Sequence, residues 1–358
     1  MKVLIDNQVY ENQKFGGISR YFNELQRENG NMERMPLFQH KPSVKKSIYD
    51  RLRSKFKLIP VITKQEFSSK DEFYNAQLNK LDYDVFHPTY YDNYFLNSLK
   101  KPFVLTVHDM IHEKYPEYFG TSPDSINKRR LCDVADRIIA ISETTKKDII
   151  DIFGTSGDKI KVIHHATNFQ SIQSLKPPFN YEEKEYLLFT GNRNAYKNFL
   201  TFLIAVAPLL NKNKNLILIC TGSGFNDIEK KWINDLQLNH GVKHYYCSND
   251  NELVYLYQNA KCFVFPSLYE GFGLPLLEAF AGKCPVVSSS GGSLKEIAGD
   301  AAVYFDPKDI KSIRNSIYKV ISDKGLQEEL IKAGENRLNG FSWEKCRKET
   351  MDLYLRVI

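Results

Sequence analysis

The sequence lacks the features of a membrane-spanning or disulfide-bonded protein. Its longest apolar run, residues 199–210, includes Thr201 and Pro208 and is too short to cross a bilayer. The six cysteines are scattered, with no CxxC pair and no metal-ligand spacing, which argues against disulfides and zinc. No secretory signal precedes the apolar residues 2–6, which read as a first core strand. We therefore expect a cytoplasmic protein with free thiols.

Neither sign of charge dominates the sequence. The 358 residues carry a formal net charge of only +6, with 42% hydrophobic and 26% charged residues, which is ordinary for a soluble globular protein. Positive charge is concentrated in residues 41–57, where Asp50 is the only acidic residue. Such a segment is typical of a solvated connector; the alternative is attraction to an anionic membrane face or a lipid diphosphate acceptor. No nucleic-acid-binding motif accompanies it, so nucleic acid is not an expected partner.

The length predicts two domains of roughly 150 to 180 residues. Short apolar runs alternate with helical stretches in both halves, which predicts an α/β protein with two doubly wound, Rossmann-like domains. Pro177-Pro178 marks the predicted linker. We expect an N-terminal domain over 1–172, a second domain over 173–340 and a terminal helix within 341–358. The predicted strands are 2–6, 84–87, 103–107, 137–141, 160–163, 186–190, 215–220, 243–246, 261–265, 285–288 and 302–305.

The most informative motif follows strand 261–265. Gly271 and Gly273 break regular structure after it, and the free N–H groups of a helix that begins near Pro275 form an anion site. Glu270 lies in the loop and Glu278 lies one turn into the helix. Two carboxylates beside an anion site suggest a ligand that carries both phosphate and sugar hydroxyls. A glycine-rich turn with two solvated glutamates accounts equally well for the spacing alone.

Residues 270–279, Glu-Gly-Phe-Gly-Leu-Pro-Leu-Leu-Glu-Ala, resemble the Glu-x7-Glu signature of the family 4 glycosyltransferases. These are retaining enzymes of the GT-B fold that use nucleoside diphosphate sugars. Further motifs in the same order extend the resemblance over nearly the whole chain. It implies a GT-B fold, in which two Rossmann-like doubly wound domains face each other across a cleft and the terminal helix crosses back to the first domain. The first domain is then expected to bind the acceptor and the second the nucleotide sugar.

Two first-domain motifs contribute to the predicted site. Gly16 and Gly17 precede a predicted helix, a pattern that fits either a turn or a phosphate contact; the resemblance implies contact with the donor diphosphate. His108 ends strand 103–107 at the sheet edge where α/β proteins bind ligands, although a structural histidine also occurs there. The resemblance implies that His108 binds the hydroxymethyl group of the transferred sugar. His165 stands where the family usually has Asn and is not included in the predicted site.

Two cations frame the loop after strand 186–190. Arg193 and Lys197 fit either a solvated loop or a pair that stabilises negative charge on a leaving diphosphate. The resemblance implies the second role, and it also places Glu270 beside the transferred sugar and Glu278 on the ribose hydroxyls. The remaining predicted donor contacts are Gly222 and the backbone N–H groups of Phe272, Gly273 and Leu274. Outside the site, Ser293 and Glu296 have the spacing of a helix capping box.

The resemblance implies transfer of a hexosyl group to a hydroxyl of a lipid-linked or polysaccharide acceptor. The composition, rich in Lys, Asn and Tyr, suggests a low-GC bacterium and hence surface polysaccharide or O-antigen synthesis. The membrane alternative for segment 41–57 would place the protein at the inner face of the plasma membrane. GDP-mannose is favoured as donor over UDP-hexoses and dTDP-rhamnose. No metal and no cofactor besides the sugar nucleotide is expected. Because no nucleophile is placed by motif, we expect the leaving phosphate to take the acceptor proton. The alternatives are a nucleotide-sugar epimerase or phosphorylase on the same fold, and a non-catalytic nucleotide-sugar-binding assembly protein.

Overall fold

The computed structural model describes residues 1–12, 16–27, 30, 32–37, 69–120, 122–178, 184–193 and 195–358. The basic segment 41–57, and with it the predicted contact with a membrane, lies outside the described residues.

The first domain contains a parallel sheet in the order β2-β1-β3-β4-β5-β6. Hydrogen-bonded ladders join β2-β1-β3 and β4-β5-β6, and a parallel bridge between Phe86 and Phe103 joins the two halves at β3 and β4. The predicted strands are confirmed, and one strand, β2, was not predicted because two of its three residues are exposed and charged. The six strands are β1 (Val3–Ile5), β2 (Met32–Arg34), β3 (Val85–His87), β4 (Val104–Val107), β5 (Arg137–Ala140) and β6 (Ile160–Val162).

Helices connect these strands and cover the sheet. The helix after the predicted glycine pair begins at Gly17. The helix after β5 begins at Glu143 and is capped by Ser142, whose side chain accepts a hydrogen bond from the N–H of Thr145. That is the ordinary capping interaction of a serine at a helix start. The first-domain helices are α1 (Gln8–Asn12), α2 (Gly17–Gln26), α3 (Lys70–Lys80), α4 (Ile111–Lys114), α5 (Pro116–Phe119), α6 (Pro123–Val134) and α7 (Glu143–Phe153).

The second domain contains a six-stranded parallel sheet in the order β12-β11-β10-β7-β8-β9. Each strand matches a prediction to within two residues at either end, because the buried strands are short apolar runs bounded by polar turns. The strands are β7 (Glu185–Phe189), β8 (Leu216–Cys220), β9 (Val242–His244), β10 (Cys262–Phe265), β11 (Val286–Ser289) and β12 (Val303–Phe305). The fold class is therefore α/β with two Rossmann-like domains, as predicted.

The second-domain helices alternate with these strands, and the last helix leaves the domain. The hydroxyl of Tyr354, at the end of that helix, hydrogen-bonds to Nδ1 of His87 in the first-domain sheet. The boundaries 1–172, 173–340 and 341–358 stay predictions. The helices are α8 (Phe199–Lys212), α9 (Asp227–Asp235), α10 (Asp250–Asn259), α11 (Leu274–Ala281), α12 (Leu294–Ala298), α13 (Ile310–Ser322), α14 (Lys324–Leu338) and α15 (Trp343–Tyr354).

Candidate active site

The glycine-rich loop after β10 turns the chain into α11, which begins at Leu274 with Pro275 in its first turn. Gly273 has φ +98°, and a Cβ atom there would lie 2.8 Å from Cδ2 of Leu294. A residue with a side chain would be strained by its backbone and would also lack space. The glycine therefore permits the turn that starts α11 at the carboxyl edge of the sheet.

The same loop lies directly against the first domain. A Cβ atom on Gly271 would lie 2.0 Å from the carbonyl oxygen of His108, in the loop after β4. At the start of α7, the hydroxyls of Ser142 and Thr145 donate hydrogen bonds of 2.7 and 3.2 Å to the carbonyl oxygen of Gly271. The structure thus brings the predicted site residue His108 next to the loop that carries Glu270.

The predicted glycine pair of the first domain reaches the same place. A Cβ atom on Gly17 would lie 3.2 Å from Cδ1 of Leu274, so the beginning of α2 contacts the beginning of α11. The N-termini of two helices from opposite domains therefore meet, with Gly16 and Gly17 on one side and the loop 272–274 on the other. Both helix ends carry partial positive charge, an arrangement that favours an anion between them.

Lys197 and Glu270 form a partly buried ion pair beside these helix ends. Lys197 Nζ lies 2.6 Å from Glu270 Oε1, and the backbone N–H of Leu268 donates to the carbonyl of Tyr196 at 2.7 Å. The loops meet because β7 and β10 are neighbours in the sheet. Burial alone would lower the pKa of Lys197, but attraction to Glu270 and Tyr196 outweighs it and raises that pKa. Lys197 is therefore positively charged at neutral pH.

Arg193, the other predicted cation, points elsewhere. Its Nε donates to Glu229 Oε1 at 2.9 Å, and its terminal nitrogens donate to carbonyl oxygens in the turn 221–224. Four of its five N–H groups thus have acceptors, and among the described residues the guanidinium bonds to neither of the two predicted carboxylates. The structure thus pairs Arg193 with Glu229, and Lys197 with Glu270.

Gly222 lies in the turn that Arg193 holds. It has φ +94°, and a Cβ atom there would lie 2.6 Å from the carbonyl oxygen of Gly191. Its own carbonyl oxygen lies 2.8 Å from Nε2 of His244. The turns after β7 and β8 therefore pack backbone to backbone, which leaves Gly222 at the same sheet edge as Lys197.

Glu278 is buried and has two partners. Arg20 Nη1 donates to its Oε1 at 2.8 Å, and the Tyr257 hydroxyl donates to its Oε2 at 3.2 Å. Arg20 belongs to α2 of the first domain, so this ion pair crosses between the domains. Burial raises the pKa of Glu278, Arg20 lowers it, and Asp250 nearby raises it further. Arg20 is not predictable as a partner of Glu278, because no local pattern links residues that lie 258 positions apart.

The side chain of His108 is enclosed by aromatic rings. Its ring centroid lies 5.7 Å from that of Tyr21 and 5.8 Å from that of His165, and among the described residues its Nδ1 has no hydrogen-bond partner. Burial, with additional repulsion from His87 and Lys128, lowers the pKa of His108 to about 3. A neutral imidazole can both donate and accept a hydrogen bond, which suits a sugar hydroxyl.

His165, which is not among the predicted site residues, lies beside them. Its ring stacks on Tyr21 with centroids 4.5 Å apart and lies 5.3 Å from the ring of Phe272. Phe272, whose backbone N–H is a predicted donor contact, thus packs its side chain against the first domain. Burial lowers the pKa of His165 well below its ordinary value, so this imidazole is also neutral.

The predicted capping box of Ser293 and Glu296 is wrong. The Ser293 hydroxyl donates to the carbonyl oxygens of Glu270 and Phe272 at 3.0 and 2.9 Å and makes no cap hydrogen bond to α12. Glu296 accepts hydrogen bonds from the N–H groups of Glu143 and Thr144 at 2.8 and 2.9 Å, so it caps α7 of the other domain. Both residues hold the site loop and the domains together, a role that local spacing cannot reveal.

Two further supports were missed by the sequence reasoning. Asn198, which has φ 58° ahead of α8, donates to the carbonyl oxygens of Pro266 and Pro307 at 3.1 and 2.7 Å and so fixes the neighbour of Lys197. Lys128 forms a buried ion pair with Glu113 at 3.0 Å and donates to the carbonyl oxygen of Asp109 at 3.0 Å. The burial of Lys128 is not predictable, because a lysine in a helical sequence is ordinarily expected to lie on the surface.

Two classes of feature were not found in the described part of the chain. None of its helices combines the length and apolar character needed to span a lipid bilayer. In the same residues, no three His, Cys, Asp or Glu side chains cluster closely enough to bind a metal ion. The groups described at the domain junction are a partly buried lysine, two carboxylates, neutral imidazoles and helix N-termini.

Comparison with known proteins agrees with this geometry. The family model "Glycosyltransferase Family 4" matches residues 46–170, and "Glycosyl transferases group 1" matches residues 171–337. The chain is 29% identical over 296 residues to an uncharacterized glycosyltransferase of Methanocaldococcus jannaschii, covering 76% of this chain and 75% of that protein. It is 28% identical over 275 residues to O-antigen chain mannosyltransferase B of Escherichia coli, covering 73% and 72%.

Solved structures share the fold over the full length. The Anabaena protein HepE, solved in complex with UDP-glucose, superimposes with a TM-score of 0.77 at 16% identity, covering 99% of both chains. The sucrose-phosphate synthase of Thermosynechococcus elongatus superimposes with a TM-score of 0.76 at 18% identity, covering 99% of this chain and 98% of that one. With adjoining family models matched across residues 46–337 and this fold shared, the chain belongs to the family 4 glycosyltransferases, retaining enzymes of the GT-B fold.

Proposed function

We propose that the protein transfers a hexosyl group, with mannosyl favoured, from a nucleoside diphosphate sugar to a hydroxyl of a lipid-linked or polysaccharide acceptor. The meeting of two helix N-termini beside the Lys197–Glu270 ion pair carries this proposal, because it combines an anion site with a fixed cation and hydroxyl-binding carboxylates. The relative named as an O-antigen mannosyltransferase supports the choice of sugar and acceptor.

In this proposal the donor diphosphate lies between the helix ends. Gly16 and Gly17 contribute from the first domain, and the N–H groups of Phe272, Gly273 and Leu274 contribute from the second. Gly222 lines the nucleotide side of the pocket. Glu278 accepts hydrogen bonds from the ribose hydroxyls, and its burial supports this role because a desolvated carboxylate bonds hydroxyl groups strongly.

The sugar lies between Glu270 and His108 in the proposed complex. The bond between the anomeric carbon and the diphosphate oxygen breaks while a bond from the acceptor oxygen to that carbon forms on the same face. The acceptor proton passes to the departing phosphate oxygen. Lys197 stabilises the charge that develops on the diphosphate, and such a contact accelerates the reaction because it strengthens in the transition state. His108 and Glu270 hold the sugar hydroxyls.

Arg193 is proposed as a second positive charge near the leaving group. The geometry supports Lys197 in this role more strongly, because four N–H groups of Arg193 are already bonded to Glu229 and the turn 221–224. Arg193 can act through its charge and by fixing that turn, without direct contact. The lipid-linked acceptor and a contact of the basic segment 41–57 with the inner face of the plasma membrane belong to the same proposal.

A nucleotide panel followed by a transfer assay tests the proposal. GDP, UDP and dTDP are first compared by isothermal titration calorimetry, and we expect one of them, with GDP favoured, to bind. The matching sugar nucleotide is then incubated with lipid-linked glycan acceptors, and retention of the anomeric configuration is read by NMR.

Lys197→Met should lower kcat by about 100-fold or more with a smaller effect on donor affinity. Lys231→Met, at an exposed ion pair of α9, is the control and should leave both unchanged. Failure of all three nucleotides to bind would refute the proposed donor site.

A further inference from the structure

Arg20 connects the first domain to two carboxylates of the second. It lies in the first turn of α2, three residues after Gly17, and its Nη1 is 2.8 Å from Oε1 of Glu278. Its Nη2 is 3.0 Å from Oδ2 and 3.1 Å from Oδ1 of Asp250, in the first turn of α10. One guanidinium therefore bridges α10 and α11 of the second domain from a helix of the first.

We propose that Arg20 is a positioning residue that orients Glu278 for the ribose hydroxyls of the donor and makes that orientation depend on contact between the two domains. The inference rests on the proposed function, since the binding of ribose by Glu278 belongs to that proposal. Arg20 itself need not touch the donor in this role.

The carboxylate of Glu278 keeps unused capacity to accept hydrogen bonds. Oε1 accepts one hydrogen bond from Arg20 and Oε2 accepts one from the Tyr257 hydroxyl. Each carboxylate oxygen can accept two hydrogen bonds, so each has capacity for one ribose hydroxyl. The donor can thus bind while the Arg20 contact persists, and the two protein partners fix the plane of the carboxylate beforehand.

The surroundings of Arg20 favour arginine over lysine. The guanidinium carbon lies 5.2 Å from the centre of the Phe169 ring, and the planar fork reaches Glu278 and Asp250 through separate nitrogens. A lysine has a single ammonium group and cannot hold both carboxylates with the same geometry. The arrangement therefore fixes the position of Glu278 relative to Asp250 as well as relative to the first domain.

The charge of Arg20 affects the pKa of Glu278, so the pH dependence of nucleotide binding distinguishes Arg20 from a purely structural contact. The groups that face the Glu278 carboxyl are Arg20 from α2, and Asp250 and Tyr257 from α10. Burial raises the pKa of Glu278, Arg20 counteracts this, and Asp250 reinforces it. Removal of Arg20 leaves a buried carboxyl beside a like charge, so its pKa rises and it takes up a proton at higher pH.

The test measures nucleotide affinity against pH. The nucleoside diphosphate that the wild-type enzyme binds most tightly is titrated by calorimetry between about pH 5.5 and 8.5 into the wild type, Arg20→Ala and Arg20→Lys. Arg27→Ala is the control. Arg27 is exposed at the C-terminal end of the same helix, and its Nη1 lies 3.5 Å from Oε1 of Glu24. Glu278→Gln provides the reference profile, because its amide does not titrate while the phosphates of the ligand still do.

We expect Arg20→Ala to weaken binding about tenfold at neutral pH, with a loss that grows as the pH falls. Arg20→Lys should restore part of the affinity, and Arg27→Ala should match the wild type. In the Glu278→Gln background, Arg20→Ala should cost much less, since it then has no carboxylate to position.

Two results would overturn the inference. One is an affinity and pH profile of Arg20→Ala equal to those of the wild type. The other is an equal loss with and without the Glu278 carboxylate, which would make Arg20 a direct ligand of the nucleotide. Should Arg20→Ala fail to fold, as judged by circular dichroism, the same comparison is made with Arg20→Lys, which keeps the charge and loses the fork. A wild-type enzyme that binds no nucleotide would instead refute the proposed function.

Discussion

Single atoms decide how closely the two domains approach. A Cβ atom on Gly271 would lie 2.0 Å from the carbonyl oxygen of His108, so Gly271→Ala must push the two site loops apart. We expect a loss of about 1–3 kcal/mol in stability and a fall in kcat/KM larger than any fall in nucleotide affinity. Thermal melts and steady-state kinetics measure both. Gly325→Ala, where the nearest atom is a side-chain oxygen at 3.4 Å, is the control and should be neutral or slightly stabilising. Wild-type kinetics in Gly271→Ala would contradict this account of the loop.

The sequence predicts the location of those site residues that directly follow a strand. Lys197 and Glu270 come after β7 and β10, so a parallel sheet puts both at its carboxyl edge, and their 2.6 Å contact follows once the strands are neighbours. The orientation of Arg193 was not predictable, because its partner Glu229 reads as an ordinary acidic residue in the first turn of a helix. Which strands are adjacent, and which helix faces which loop, depends on tertiary packing that a strand-by-strand reading does not contain.

Helix α7 is capped by a carboxylate from the opposite domain. Glu296 accepts from the N–H groups of Glu143 and Thr144. Burial alone would raise the pKa of Glu296, but hydrogen bonds from His164 and from that backbone outweigh it and hold the pKa below its ordinary 4.5. A lowered pKa in the folded state stabilises the protein above that ordinary value, and the contribution is lost as the pH falls below it.

Glu296→Ala should therefore lower the melting temperature at neutral pH by the equivalent of about 1 kcal/mol, the ordinary cost of a lost helix cap. The difference from the wild type should shrink as the pH falls below about 4.5. Differential scanning fluorimetry across this range measures both curves. Glu328→Ala, an exposed position on α14, is the control and should follow the wild type throughout. A difference that stayed constant down to low pH would show that the charge of Glu296 contributes nothing to capping.

One hydrophobic core joins the sheets of the two domains. It contains Val85 and Ile139 of the first sheet, Leu188 and Phe263 of the second, and Trp343 of α15. The alternation of strands and helices predicts two domains but not this shared core. An apolar run predicts that its residues are buried, but not which domain they pack against. Unfolding either domain alone would expose the apolar surface of the other, which favours one cooperative transition.

The two tryptophans of the chain, Trp232 and Trp343, allow that cooperativity to be measured. Trp343 is buried in the shared core, whereas Trp232 is partly buried beside a core confined to the second domain. In Trp232→Phe the emission reports the domain junction, and in Trp343→Phe it reports the second domain. For each variant we expect the urea midpoint from fluorescence to coincide with the midpoint from its own circular dichroism, because the shared core couples the domains. Comparison within a variant removes the effect of the substitution on overall stability. In Trp343→Phe, a Trp232 signal that persisted to higher urea concentration than the ellipticity would mean that the second domain stays folded after the first has unfolded. The shared core would then be too weak to couple the unfolding of the two domains.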